Sequence, residues 1–146
     1  EFNVAINEDR VLAVAEMDFG GLPEGCPKIV TYAGKWEERS AEFLGTVPTF
    51  PKKAPPEVAR IALEAARELG CRAYARVDLR MDRRGRVFVL EVNPNPDLSK
   101  NAGMARCAQA AGWTYEDLVG SILRQALRRT PEEAARRWED VPCLAL

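Results

Sequence analysis

The sequence contains no histidine. That absence removes serine–histidine and cysteine–histidine nucleophile systems, and histidine-ligated zinc with them. Cysteine is sparse: Cys26, Cys71, Cys107 and Cys143 are spread out, with no C-x-x-C pair among them. They read as free thiols in a reducing cytoplasm, not as a disulfide framework. No apolar run is long enough to cross a bilayer and there is no signal-peptide pattern, so no membrane partner is expected. The formal net charge is −1. A chain without a basic field is not expected to bind nucleic acid.

What is present is an ordinary globular composition. At 146 residues and 47% hydrophobic content, the chain can build one domain with its own core. It has no internal repeat and no low-complexity run. The most informative stretch is Ala73 to Asn93, which reads as a β-hairpin. Strand side chains alternate faces, so Ala75, Val77, Leu79 and Met81 point one way and Arg76, Asp78 and Arg80 the other. On the second strand Phe88, Leu90 and Val92 share one face; Val89, Glu91 and Asn93 share the opposite one. Asp82-Arg83-Arg84-Gly85 is a turn with a late glycine, built around a type I bend. If Met81 pairs with Arg86, then Asp78 opposes Val89 and Arg76 opposes Glu91. Opposed residues lie on the same side of a sheet, so Arg76, Asp78, Glu91 and Asn93 would gather on one patch. A one-residue bulge would change that parity. Two carboxylates and an amide oxygen are hard ligands that suit Mg²⁺ shared with substrate phosphates. An arginine beside them can grip phosphate oxygens through its planar fork. The alternative is that these residues are only the wet face of a half-exposed hairpin.

Around the hairpin the chain reads as follows. Phe2, Val4 and Ile6 alternate with polar or small residues, a half-buried strand, and Val11 to Met17 is its hairpin partner. The glycine- and proline-bearing stretch from Asp18 to Lys28 is a loop. Lys28 to Tyr32 reads as a strand, and Thr46 to Pro56 as extended. A helix runs from Pro56 to Leu69, with proline at its start and Gly70 past its end. Its stripe of Val58, Ile61, Ala62, Ala65 and Leu69 is expected to cover the back of the sheet. A helix from about Lys100 to Ala111 ends at Gly112. Another runs from the near capping box at Thr114 through Arg129, with Leu118, Val119, Ile122, Leu123, Ala126 and Leu127 facing the core. A last short helix starts at Thr130-Pro131.

The stretch GCRAYARVDLRMDRRGRVFVLEVNPNP resembles the C-terminal part of ATP-grasp ligases, most closely the D-alanine–D-alanine ligase group. The family's R-x-D on one strand is met by Arg76 and Asp78, and its E-x-N on the next by Glu91 and Asn93. The resemblance runs from Glu1 to about Leu127. It implies an α+β fold: an antiparallel β-sheet with helices packed on one face, the second, C-terminal subdomain of the ATP-grasp fold. That subdomain would occupy residues 1–129, with 130–146 a C-terminal helix and tail. The implied activity is ATP-dependent carboxylate–amine ligation through an acyl phosphate, in the cytoplasm. ATP and one or two Mg²⁺ ions, or Mn²⁺ in their place, would be the cofactors.

The resemblance also assigns roles. Asp78, Glu91 and Asn93 would hold the metal, and Arg76 would stabilise the acyl phosphate and the tetrahedral intermediate that follows. Lys35 matches a lysine in a mobile loop that closes over the phosphates; a lone lysine on a loop can equally be just solvated. Glu1 matches a glutamate that holds the ATP ribose; at a chain end it can equally be frayed. Trp36 reads as either hinge packing or an exposed aromatic. Asp97 stands where the family has glycine, and Ala102 and Gly103 stand where it has the serine and leucine that receive the second substrate's carboxylate. Asp97 and Ser99 are therefore candidates to meet a different acceptor. Asp97 would either face a cationic amine or make an Asx turn before the next helix. The preceding half of the ligases, with its phosphate-binding lysines and adenine hinge, is not in these residues, so the chain reads as a fragment of a longer enzyme, inactive alone. Its partners would be that missing half and small carboxylate and amine substrates, with a homodimer left open. The reading from a different class is a non-catalytic nucleotide- or partner-binding module on the same scaffold.

Overall fold

The structure, a computed structural model, describes residues 1–129. Its centre is a five-stranded sheet in the order β3-β2-β1-β4-β5, with every neighbouring pair antiparallel. The strands are β1 (Phe2–Asn7), β2 (Arg10–Asp18), β3 (Val47–Thr49), β4 (Tyr74–Met81) and β5 (Val87–Asn93). β1 and β2 turn through Glu8 and Asp9, and Glu8 takes a left-handed φ of 54° while donating its N–H to the Ala73 carbonyl. Between β2 and β3 lie two short helices, α1 (Tyr32–Trp36) and α2 (Ala41–Gly45). Each is capped by a hydroxyl, Thr31 to the Gly34 N–H and Ser40 to the Phe43 N–H. The residues Lys28 to Tyr32 were expected as a strand; instead Lys28 and Ile29 form a bend, Thr31 is the cap and Tyr32 opens α1. A β-branched run favours a strand only weakly when a Thr cap offers the backbone a helical start.

α3 (Pro56–Glu68) begins with proline in its first turn. It ends in a Schellman motif, with Gly70 at φ 67°, Gly70 N–H on the Arg67 carbonyl and Cys71 N–H on Ala66. Val58, Ala62 and Ala66 are its buried stripe, packed on Phe2, Val4, Ile6, Val77 and Leu79. Leu69, expected in that stripe, is the C-cap and is 59% exposed. α4 (Gly103–Ala110) and α5 (Tyr115–Leu127) follow β5. Met104, Ala105, Cys107 and Ala108 of α4 and Leu118 of α5 pack on Ala5 and Ala15, which point away from α3. The antiparallel α+β architecture is as expected, but the helices divide between the two sheet faces; they do not gather on one. Small residues at Ala5 and Ala15 let α4 sit close, a feature with little periodic signal. The α5 stripe is also narrower than expected: Leu118 and Ser121 are buried, whereas Val119, Leu123 and Leu127 stay exposed. Its capping box is complete, Thr114 with Asp117. The helix expected after Thr130 lies outside the described residues. No helix among the described residues is long and apolar enough to cross a membrane.

Candidate functional site

The site forms where β4 meets β5. Asp78 opposes Glu91, and Arg76 opposes Asn93. The expected partners were Val89 for Asp78 and Glu91 for Arg76, so the register differs, for two reasons. The turn takes Asp82 through Arg86, with Gly85 at φ 79°, and pairs Met81 with Val87 in place of Arg86. A β-bulge then falls between the Leu79–Val89 and Asp78–Glu91 pairs, leaving Leu90 extra. Each event shifts the pairing by one residue. Two odd shifts restore the original parity, so all four polar residues still share one face. Between them the parity is inverted: Phe88 opposes Arg80, on the polar face, while Val92 opposes Val77, on the core face. Phe88 and Val92 were expected on one face and are on opposite ones.

Within the patch Arg76 and Asp78 form a two-point fork, Nε to Oδ1 at 2.7 Å and Nη2 to Oδ2 at 2.9 Å. Asn3 on β1 adds a third hydrogen bond, Nδ2 to Asp78 Oδ1 at 2.9 Å. Burial opposes the Arg76 charge, but hydrogen bonding and attraction to Asp78, with Glu91 adding to it, raise the guanidinium pKa above its usual value. Glu91 makes no hydrogen bond or ion pair among the described residues and is exposed. Asn93 Oδ1 accepts the Asn95 N–H at 2.9 Å, which fixes its amide orientation. Asn3 was not singled out in the sequence; it is a polar residue interrupting an apolar strand, and only the pairing of β1 with β4 sets it opposite Asp78. The donor set fits Mg²⁺: two opposed carboxylates and a neighbouring carboxamide, all oxygen donors, with one carboxylate already free. Among the described residues no group of three or more His, Cys, Asp or Glu side chains is placed to hold a metal, so the set depends on the Asn93 amide.

Glu1 is not frayed. Its carboxylate is 9% exposed and meets Arg80 Nη1 at 3.5 Å and the Val30 N–H at 3.4 Å. Arg80 Nη2 also donates to the Lys28 carbonyl at 2.8 Å. Glu1 and Arg80 thus tie the segment after the long loop to the edge of the carboxylate face; Arg80 is a second residue that sequence reasoning did not select. Lys35 sits on α1, exposed, and among the described residues nothing joins it to the carboxylates. Trp36 beside it is 67% exposed. Asp97 makes the Asx turn: its Oδ1 accepts the Ser99 N–H at 2.8 Å and the Ser99 hydroxyl at 2.6 Å. The Cβ that Gly103 lacks would lie 4.0 Å from Arg76 Cδ, so the start of α4 stands over the arginine. Cys107 of the same helix is buried, and its thiol is pushed up to about 11 by that burial. Cys26, Cys71 and Cys107 are all free thiols.

Comparison with known proteins gives this face a context. Residues 1–124 match the family model described as D-ala D-ala ligase C-terminus. The chain belongs to that family. A D-alanine--D-alanine ligase of Xylella fastidiosa is 35% identical over 126 residues, covering 82% of this chain and 40% of the relative. The uncharacterized protein y4sG of Sinorhizobium fredii is also 35% identical, covering 88% of this chain and 38% of its own length. The chain therefore spans about two-fifths of these relatives. Among solved structures, the Bacillus anthracis D-alanine--D-alanine ligase complexed with ATP superposes with a TM-score of 0.65 at 22% identity, over 87% of this chain and 38% of that one. This is the fold of the C-terminal region of an ATP-grasp ligase.

Proposed function

We propose that these residues are the C-terminal part of an ATP-dependent carboxylate–amine ligase, and that the β4–β5 face is its metal- and phosphate-binding half. The observation that carries this reading is the opposed pair Asp78–Glu91, flanked by Arg76 and Asn93 on one face. Asp78, Glu91 and Asn93 would hold one or two Mg²⁺ ions, or Mn²⁺. When bound, the metal supplies charge neutralisation for the polyphosphate of ATP.

The chain's own residues do the rest. In the reaction, the γ-phosphoryl group passes from ATP to a carboxylate oxygen, leaving ADP and an acyl phosphate. A neutral amine then attacks the acyl carbon, the bond to phosphate oxygen breaks, inorganic phosphate leaves, and the nitrogen gives up a proton to become an amide. Arg76 holds the phosphate oxygens and the tetrahedral oxyanion. Its side chain is fixed by Asp78 and roofed by α4, so little reorganisation is needed as charge develops. Lys35, on its short helix, swings in against the phosphates, and Glu1 takes the ribose hydroxyls. Asp97 and Ser99 line the acceptor side. No step requires histidine. Cytoplasmic ATP and a reducing compartment suit the free thiols. The 146 residues alone are expected to turn nothing over, because the rest of the nucleotide pocket belongs to the other three-fifths of such enzymes; the substrates and any second subunit belong to that whole protein.

The test is made on the full-length protein. With Mg²⁺ and ATP present, amino acids are supplied singly and in pairs and phosphate release is followed, with Glu91→Ala as control. Release that depends on a particular pair and disappears in the control supports the ligase. Binding of ATP without pair-dependent release points to a non-catalytic nucleotide-binding module instead.

A further inference from the structure

We propose that a cavity at the other end of the sheet from the carboxylates binds a small, doubly charged oxyanion of the phosphate type. The inference is independent of the ligase reading. The cavity has a volume of about 280 Å³ and is lined by Glu8, Arg72, Ala73, Gln125, Arg128 and Arg129. These residues come from the β1–β2 turn, the entry to β4 and the end of α5. Asn3 opposes Asp78 on β4, whereas Asn7 opposes Tyr74. This end of β1 therefore lies four residues from the carboxylate pair, about 13 Å along the strand.

The wall is built for an anion. Three guanidiniums and one carboxylate give it an excess of two positive charges. Arg128 Nη1 meets Glu8 Oε1 at 3.8 Å, a loose pair between side chains 73% and 45% exposed. Exposed pairs of this kind contribute little, so an incoming dianion can take the place of the carboxylate. Glu8 is also the one non-glycine residue among those described with a left-handed φ, 54°, and its N–H is tied to the Ala73 carbonyl at 2.7 Å. Strained backbone held in this way clusters at ligand sites. A separate observation lies behind the wall. Asn7 is fully buried, and its Oδ1 accepts the Ser121 hydroxyl at 2.9 Å and the Gln125 amide at 3.0 Å. Its Nδ2 is buried and has no acceptor among the described residues. Buried donors are nearly always paired, so an orphaned one marks a missing acceptor. Gln125 joins this amide to the cavity, since it lines the one and bonds the other. Size then sets the class. The volume falls below the roughly 300–1,000 Å³ of pockets for drug-sized ligands, which suits a phosphate group with its water and is too small for a nucleotide.

The test is a titration of the 146-residue chain with inorganic phosphate, at constant ionic strength and about pH 8, above the second ionisation of phosphate. Mg²⁺ is left out, so that the carboxylate face does not hold phosphate through a metal. Proton–nitrogen spectra follow the Arg128 Nε–H and the side-chain amides of Gln125 and Asn7. All three should shift and saturate together, with a Kd of about 1 mM. Arg128→Gln should raise that Kd roughly tenfold, through loss of a charge-assisted hydrogen bond. Glu8→Gln should lower it about threefold, because the competing carboxylate is gone. A parallel titration with glycerol 3-phosphate separates the sources: tighter binding of the ester assigns the site to a phosphorylated metabolite, and tighter binding of inorganic phosphate to the free ion. Shifts that fail to saturate with either compound, or a Kd that neither variant moves, overturn the inference and leave the ligase reading untouched.

Discussion

Asp78 and Glu91 should fail alike in catalysis and differ sharply in stability. The difference follows from their surroundings. Asp78 is buried, with 8% of its side chain exposed, and it is the partner of an Arg76 side chain only 20% exposed. Asp78→Ala leaves that guanidinium and the Asn3 amide without their acceptor. Removing one member of a buried ion pair costs about 3–5 kcal/mol. Arg76 retains some solvent contact and the attraction of Glu91, which brings the expected loss down to about 2–3 kcal/mol. Glu91 has no bonded partner to abandon among the described residues, so Glu91→Ala should fall within about 0.5 kcal/mol of wild type. Urea unfolding of the 146-residue chain, followed by tryptophan fluorescence, reads this directly. With a slope of about 1.5–2 kcal/mol/M, Asp78→Ala should lower the midpoint by about 1–2 M and Glu91→Ala should barely move it. Adding Arg76→Met to Asp78→Ala should recover much of the loss, because an apolar side chain has no charge to strand. Equal midpoints for the two single variants, or a double variant worse than Asp78→Ala, would refute the account of Asp78 as both ligand and structural counter-ion.

Three further outcomes are expected. Lys35→Ala should leave the unfolding midpoint unchanged, since the side chain is exposed on α1 and unpaired among the described residues, yet lower phosphate release by the full-length protein by at least about tenfold; equal activity would refute the proposed phosphate role of Lys35. Gly45→Ala should destabilise the loop before α1, because its Cβ would sit 2.5 Å from the Gly21 carbonyl oxygen. Overpacking of that kind costs about 1–3 kcal/mol, and faster proteolysis within 19–46 would report it. Cys107 gives a pH dependence. Its thiol ionises near 9.0 when unfolded and only near about 11 in the fold. The folded state therefore keeps a proton that the unfolded chain releases. This contribution is complete below pH 9 and is lost as pH rises toward 11, on the order of 1–3 kcal/mol in all. Cys107→Ala should flatten that part of the stability–pH curve, and an unchanged slope would exclude the thiol as its cause.

Much of this protein was legible along the chain because it depends on near neighbours. Period-two alternation marked β1, β2, β4 and β5. Pro56 and Gly70 bracketed α3, and Thr114 with Asp117 announced α5. The four polar residues of the hairpin were chosen on residue type and spacing, and their common face survived. Other features depend on contacts distant in sequence, and no local pattern carries them. The bulge at Leu90 and the longer turn at Arg86 set who faces whom, so Asp78 met Glu91 instead of Val89. The match of α4 to the small side chains of Ala5 and Ala15 put a helix on the carboxylate face and over Arg76. Leu69, Leu123 and Leu127 carry the right periodicity and stay exposed because no packed element reaches them among the described residues. Asn3 and Arg80 gained their roles only when β1 paired with β4. Residue type and period fix the chemistry a face can offer, since they act over a turn or a strand. Register, helix placement and the pairing of charges are settled by packing between segments tens of residues apart, where a shift of one residue reverses every side chain.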